Sequence, residues 1–130
     1  MKYLLILLLT IFYHPVKAQS DSMTFVMHID KNTIVVSESE FPGGNNAWYN
    51  YLGRNLYYPE WALRRGIRGT VIVKFVIDED GNVTNVKAVS GPNELRESAI
   101  DVIKKSPKWL PSKRNGVPIK SDKTQPINFG

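Results

Sequence analysis

Residues 58–90, YPEWALRRGIRGTVIVKFVIDEDGNVTNVKAVS, decide the fold. Pro59 has a fixed φ and no N–H, which suits the first turn of a helix. Gly66 can take the left-handed conformation that ends one. Thr70 to Ile77 is β-branched and aromatic, the composition of a buried strand. Asp78-Glu79-Asp80-Gly81-Asn82 is a polar, glycine-containing turn, and Val83 to Ser90 returns as a second strand. The stretch predicts a short helix followed by a β-hairpin.

The flanks extend this core unit. Upstream, Phe41-Pro42-Gly43-Gly44 marks a boundary. Trp48, Tyr51, Leu52 and Leu56 then recur at helical spacing, with Asn45 or Asn46 as the cap. This helix must end before Tyr58, because a residue preceding proline disfavours the helical region. Downstream, Gly91-Pro92-Asn93 breaks the second strand. Leu95, Ala99, Val102 and Ile103 line one face of a further helix, with Asn93 as its cap. Glu94 and Glu97 lie toward its start and Lys104 and Lys105 at its end, as the macrodipole favours. Pro107 stops it. Lys113-Arg114-Asn115-Gly116 reads as a turn, and Val117 to Phe129 as one extended strand. The order predicts an α+β fold: a small antiparallel three-stranded sheet with helices on one face, preceded by a loose N-terminal segment.

The 130 residues suffice for one domain with a core. Residues 1–18 read as a signal peptide: Lys2, an apolar run from Tyr3 to Tyr13, then Val16-Lys17-Ala18 as the cleavage pattern. The run is shorter than the roughly 20 residues of a spanning helix. An uncleaved anchor is the alternative. Cleavage after Ala18 removes Lys2 and Lys17 and lowers the net charge from +5 to +3, with 15 basic and 12 acidic residues left. That charge calls for neither nucleic acid nor a membrane surface. No cysteine is present, so thiolate catalysis, disulfides and cysteine-based zinc sites are excluded. Residues 19–40 form a lead-in in which Met23–Ile29 and Thr33–Val36 suggest a short hairpin.

With these parts in order, residues 41–130 resemble the C-terminal domain of the TonB family. The resemblance rests on Tyr58-Pro59 with Ala62, Gly66 and Gly69, Val71/Val73/Phe75/Ile77, and Asp80-Gly81. It continues through the Leu95–Ala99 helix, Trp109 with Pro111, Asn115-Gly116, and Pro126-Ile127-Asn128-Phe129. It implies a periplasmic domain in TonB-dependent transport. Such a domain binds the extended "TonB box" segment of an outer-membrane receptor, which adds as a strand beside the last strand. The residues expected to hold that segment are Lys120, Ser121, Asp122, Lys123, Thr124 and Gln125. Pro126, lacking an N–H, limits the ladder at that end. A complete transducer also carries a membrane helix and a long Pro-rich spacer. Neither is read here, so segment binding rather than force transmission is expected, with an anchored envelope chain as a further partner. The last strand departs from the usual pattern: Ser121, Lys123 and Gln125 stand where alternation wants apolar residues.

Other chemistries fit poorly. Counted from Asp78, a calcium loop would need glycine sixth and glutamate twelfth; glycine is fourth and the twelfth residue is Val89. A plain turn is the better reading. Beyond the signal segment only His28 is present, and Ser90-Gly91 lacks the glycine of a nucleophile elbow. No catalytic residue, metal site or cofactor is expected, and the protein is not read as an enzyme. Lys104, Lys105, Lys108, Lys113, Arg114, Lys120 and Lys123 read as a solvated face, and Trp48, Trp61 and Trp109 as core. The competing functional reading is an envelope assembly module, a homodimer for instance, that pairs through the same sheet edge.

Overall fold

The computed structural model describes residues 24–29 and 32–130, with side chains from Ile34 onward. The signal segment expected over 1–18 and the start of the lead-in lie outside the described residues. The chain runs through β1 (Thr24–Ile29), β2 (Asn32–Ser37), α1 (Gly44–Asn55), α2 (Glu60–Arg64), β3 (Gly69–Ile77) and β4 (Val83–Ser90). It continues through α3 (Asn93–Lys104), β5 (Ser112–Arg114), β6 (Val117–Ile119) and β7 (Ser121–Phe129). The fold is α+β. A three-stranded antiparallel sheet has the order β4-β3-β7, with the hairpin's first strand at its centre.

β3 holds the core because its alternation is strict. Val71, Val73, Phe75 and Ile77 are buried on one face, while Thr70 and Lys74 are exposed on the other. Leu95, Ala99, Val102 and Ile103 of α3 pack on the buried face, joined by Trp48 and Leu52 of α1 and by Ile127 and Phe129 of β7. Each fully buried Val, Leu, Ile or Phe contributes about 1.5–3 kcal/mol, so this layer supplies most of the driving force. α2 ends as the sequence suggests. Gly66, at φ 70°, sends its N–H to the Leu63 carbonyl, and Ile67 sends its own to Ala62. That pair of bonds is the Schellman arrangement.

The structure corrects several expectations. The segment from Val117 to Phe129 is two strands, not one. Asn115 and Gly116, both at positive φ, fold β6 back onto β5, and the chain changes sheets at Lys120. The short hairpin suggested for the lead-in is present as β1 and β2, paired over six residues each; what was not expected is that it joins a second sheet of order β1-β2-β5-β6. Asn115 makes that junction. Its backbone N–H donates to the Val35 carbonyl and its side-chain oxygen accepts from the Val35 N–H, at 2.8 and 3.0 Å. The asparagine caps also differ. Gly43 and Pro92 precede α1 and α3, and neither helix start has a side-chain cap bond. Trp61 is 42% exposed, beneath the Arg65 guanidinium, rather than in the core.

Candidate functional site

β7 is the edge of the three-stranded sheet. Its inner side pairs with β3 in an uninterrupted register from Gly69↔Phe129 to Ile77↔Ser121. Among the described residues no strand lies along its outer side. The lead-in passes the start of this edge without covering it. Ser121 Oγ donates to Ser39 Oγ at 2.9 Å, and Glu40 exchanges two backbone bonds with Leu110 at 2.9 and 2.8 Å.

Which β7 backbone groups face outward follows from the register. In an antiparallel ladder, opposed residues alternate between hydrogen-bonded and non-bonded pairs. Thr84 Oγ1 donates to the Val76 carbonyl at 3.3 Å, so that carbonyl is turned toward β4 and away from β7. Asp122, opposite Val76, is then in a non-bonded pair, as are Thr124 opposite Lys74 and Pro126 opposite Ile72. Pro126 fits this parity, because an edge proline stands where its nitrogen faces away from the sheet. The Pro126 carbonyl accepts from Gln125 Nε2 at 2.8 Å, as an outward carbonyl can. Asp122 and Thr124 therefore each present an N–H and a C=O that find no partner strand among the described residues. Pro126 presents no donor and an acceptor already engaged.

The polar side chains on the helix side of β7 are all partnered. Gln125 Oε1 accepts from Trp48 Nε1 at 2.8 Å. Lys123 Nζ sits 5.5 Å from the centroid of the Trp109 ring, within cation–π range. Ser121 reaches Ser39. The strand is thus well packed despite breaking the apolar alternation. Trp109 is itself fixed by the hairpin turn. Its N–H donates to the Gly81 carbonyl at 2.8 Å, and a Cβ on Gly81 would lie 2.0 Å from the Trp109 carbonyl oxygen. Gly81, at φ 88°, is required there twice over. The turn also consumes the acidic group considered for calcium: Asp78 Oδ1 accepts from the N–H groups of Asp80 and Asn82 at 2.9 and 2.8 Å. These bonds, that from Asn82 first, hold the Asp78 carboxyl below the usual carboxylate range.

Beside the β7 edge, on the helix side, lies a cleft of about 240 Å³. Its lining joins an aromatic floor of Phe41, Trp48, Phe75 and Trp109 to a wall of Glu38, Glu40 and Tyr49 from the lead-in and α1, and to Lys123, Thr124 and Gln125 from β7. The floor is one aromatic cluster, with Trp48 and Trp109 edge-on at 4.8 Å and Phe41 within 5.5 Å of both.

Of the six residues singled out in the sequence, the structure places five on one strand. Asp122 and Thr124 have outward backbone and exposed side chains on the open sheet face. Ser121, Lys123 and Gln125 point to the helix side. Lys120 lies in the joint between β6 and β7 and is outside the strand. The cleft wall at Glu38, Glu40 and Tyr49 was missed. Its only signal was the Phe41-Pro42-Gly43-Gly44 boundary, which joins the lead-in to α1 beside the start of β7.

The comparisons agree with this architecture. The family described as Gram-negative bacterial TonB protein C-terminal matches residues 54–130. Protein TonB of Helicobacter pylori (strain ATCC 700392 / 26695) is 37% identical over 65 residues, covering 48% of this chain and 23% of that protein. Protein TonB of Vibrio cholerae serotype O1 is 36% identical over 74 residues, covering 55% of this chain and 30% of that protein. The chain thus matches less than a third of the length of these curated relatives. No solved structure matches significantly. With the family match spanning both strands of the hairpin, α3 and the whole of β7, the chain belongs to the TonB C-terminal family.

Proposed function

We propose that this chain works in TonB-dependent transport as a periplasmic module. It binds an extended segment of an outer-membrane receptor by strand addition along β7. Residues 1–18 direct export, 19–40 lead in, and 41–130 form the binding domain. The observation that carries the reading is the open outer edge of β7, where Asp122 and Thr124 turn N–H and C=O away from the sheet. Membership of the family supports the receptor as partner.

The expected ladder is short. Two outward residues offer four hydrogen bonds, each worth about 0.5–1.5 kcal/mol net. Pro126 ends the ladder on one side and the Ser39–Ser121 contact on the other. A short ladder suits a contact that forms and releases. No catalysis or bound cofactor enters this function.

A photo-reactive residue at Asp122, with crosslinking in the native envelope, tests the proposal. Capture of an outer-membrane receptor is the expected result. Capture of a second copy of this chain would favour the assembly reading through the same edge. A crosslink to neither would remove the receptor as partner.

A further inference from the structure

We propose that the cleft beside β7 selects the adding strand by accepting one of its basic side chains. This rests on the strand-addition reading and adds a chemical preference to it. A strand laid along β7 alternates its side chains between the two faces of the sheet. Those on the helix side project where Lys123 and Gln125 project, over the mouth of the cleft. One such side chain enters the 240 Å³ space.

The lining sets the chemistry. The aromatic floor is only 2–7% exposed per residue, whereas Tyr49 at the wall is 60% exposed and offers ring surface to a long aliphatic stem or a guanidinium. Glu38 and Glu40 share that wall. Among the described residues the only side-chain ion pair is Arg64–Glu60, so neither carboxylate has a cation at pairing distance. Lys123, the cation in the same lining, is held over the Trp109 ring instead. The space therefore combines apolar surface with two carboxylates that pair with no cation among the described residues, against the one lysine already held over a ring. An acidic side chain meets repulsion there, a neutral one gains only the floor, and an arginine or lysine gains both. Glu38, Glu40 and Tyr49 all precede the family-matched residues 54–130.

The test uses three synthetic peptides of alternating valine and threonine that differ only at one central position: arginine, glutamine or glutamate. Each is titrated into the isotope-labelled protein and into the E38Q/E40Q double variant, with β7 amides as the readout. Among the described residues Glu38 and Glu40 make no ion pair, and the amide spectrum of the double variant checks that the fold is kept. The expected result is arginine over glutamine by roughly fivefold to tenfold, the size of one exposed ion pair plus one exposed cation–π contact. Glutamate is weakest, and the preference disappears in the double variant while the glutamine peptide binds as before. Equal binding of all three peptides, with β7 amides responding, would overturn the cleft preference and leave strand addition standing. No response from β7 with any peptide would overturn both.

Discussion

A proline scan of β7 separates the free edge from the ladder. Thr124→Pro removes an N–H that faces away from β3, whereas Lys123→Pro removes one that bonds to Phe75 across the ladder. Pro126 already occupies the outward parity two residues on, so Thr124→Pro should cost the fold less than about 1 kcal/mol. Lys123→Pro leaves the Phe75 carbonyl without its donor, about 1–3 kcal/mol, and loses the contact with Trp109, about 0.5–1 kcal/mol more. The expected difference in unfolding free energy is about 0.5–4 kcal/mol from these terms, with Lys123→Pro the less stable. Urea denaturation measures it through the midpoint at constant slope. For binding the order reverses in meaning. The folded Thr124→Pro variant loses one of four ladder bonds, and the ring blocks a second, about 1–3 kcal/mol or roughly fivefold to 150-fold in Kd. Equal destabilisation by the two prolines would refute the parity assignment. A stable Thr124→Pro variant that binds receptor peptide like the unaltered chain would refute use of this edge.

Further perturbations probe the supports of the site. Gly81→Ala sets a Cβ against the Trp109 carbonyl at positive φ and should cost more than about 2 kcal/mol. Gly66→Ala, with open space around it, should cost about 1 kcal/mol; thermal denaturation of the pair compares them. Gln125→Leu leaves the Trp48 indole N–H unpaired at a site 4% exposed and should destabilise by about 1–3 kcal/mol in urea. The Asp78 carboxyl is depressed in the folded state, so its contribution is present above the ordinary value of 3.8. It is lost as pH falls below that value through the folded pKa. Thermal melts below pH 5 should show Asp78→Ala with a flatter acid dependence than the unaltered chain.

Local rules made most of the three-stranded sheet legible. The β-branched run from Thr70 to Ile77, the glycine turn and the apolar face of α3 each agree with their place in the fold. The parts that were not legible depend on contacts across long sequence separations. The polar face of β7 looked like a packing fault because Trp48 stands 77 residues from Gln125, and no spacing rule links them. The split at Lys120 needed the β5–β6 hairpin to find the lead-in, which Asn115 does through Val35. The bulge in β4 at Asn85, with φ 51°, likewise has no glycine to announce it. The open edge of β7 was expected from the family resemblance, and Pro126 within the strand fits an edge position. The cleft wall was not, since Glu38 and Glu40 read only as a polar stretch until the lead-in docks.

Amide hydrogen exchange along β7, with and without a receptor-box peptide, tests the central claim most directly. Lys123 and Gln125 should be protected in the free protein, and Asp122 and Thr124 should exchange fast and slow down when the peptide binds. Protection of Asp122 and Thr124 in the free protein, or no change in them at saturating peptide, would contradict the account.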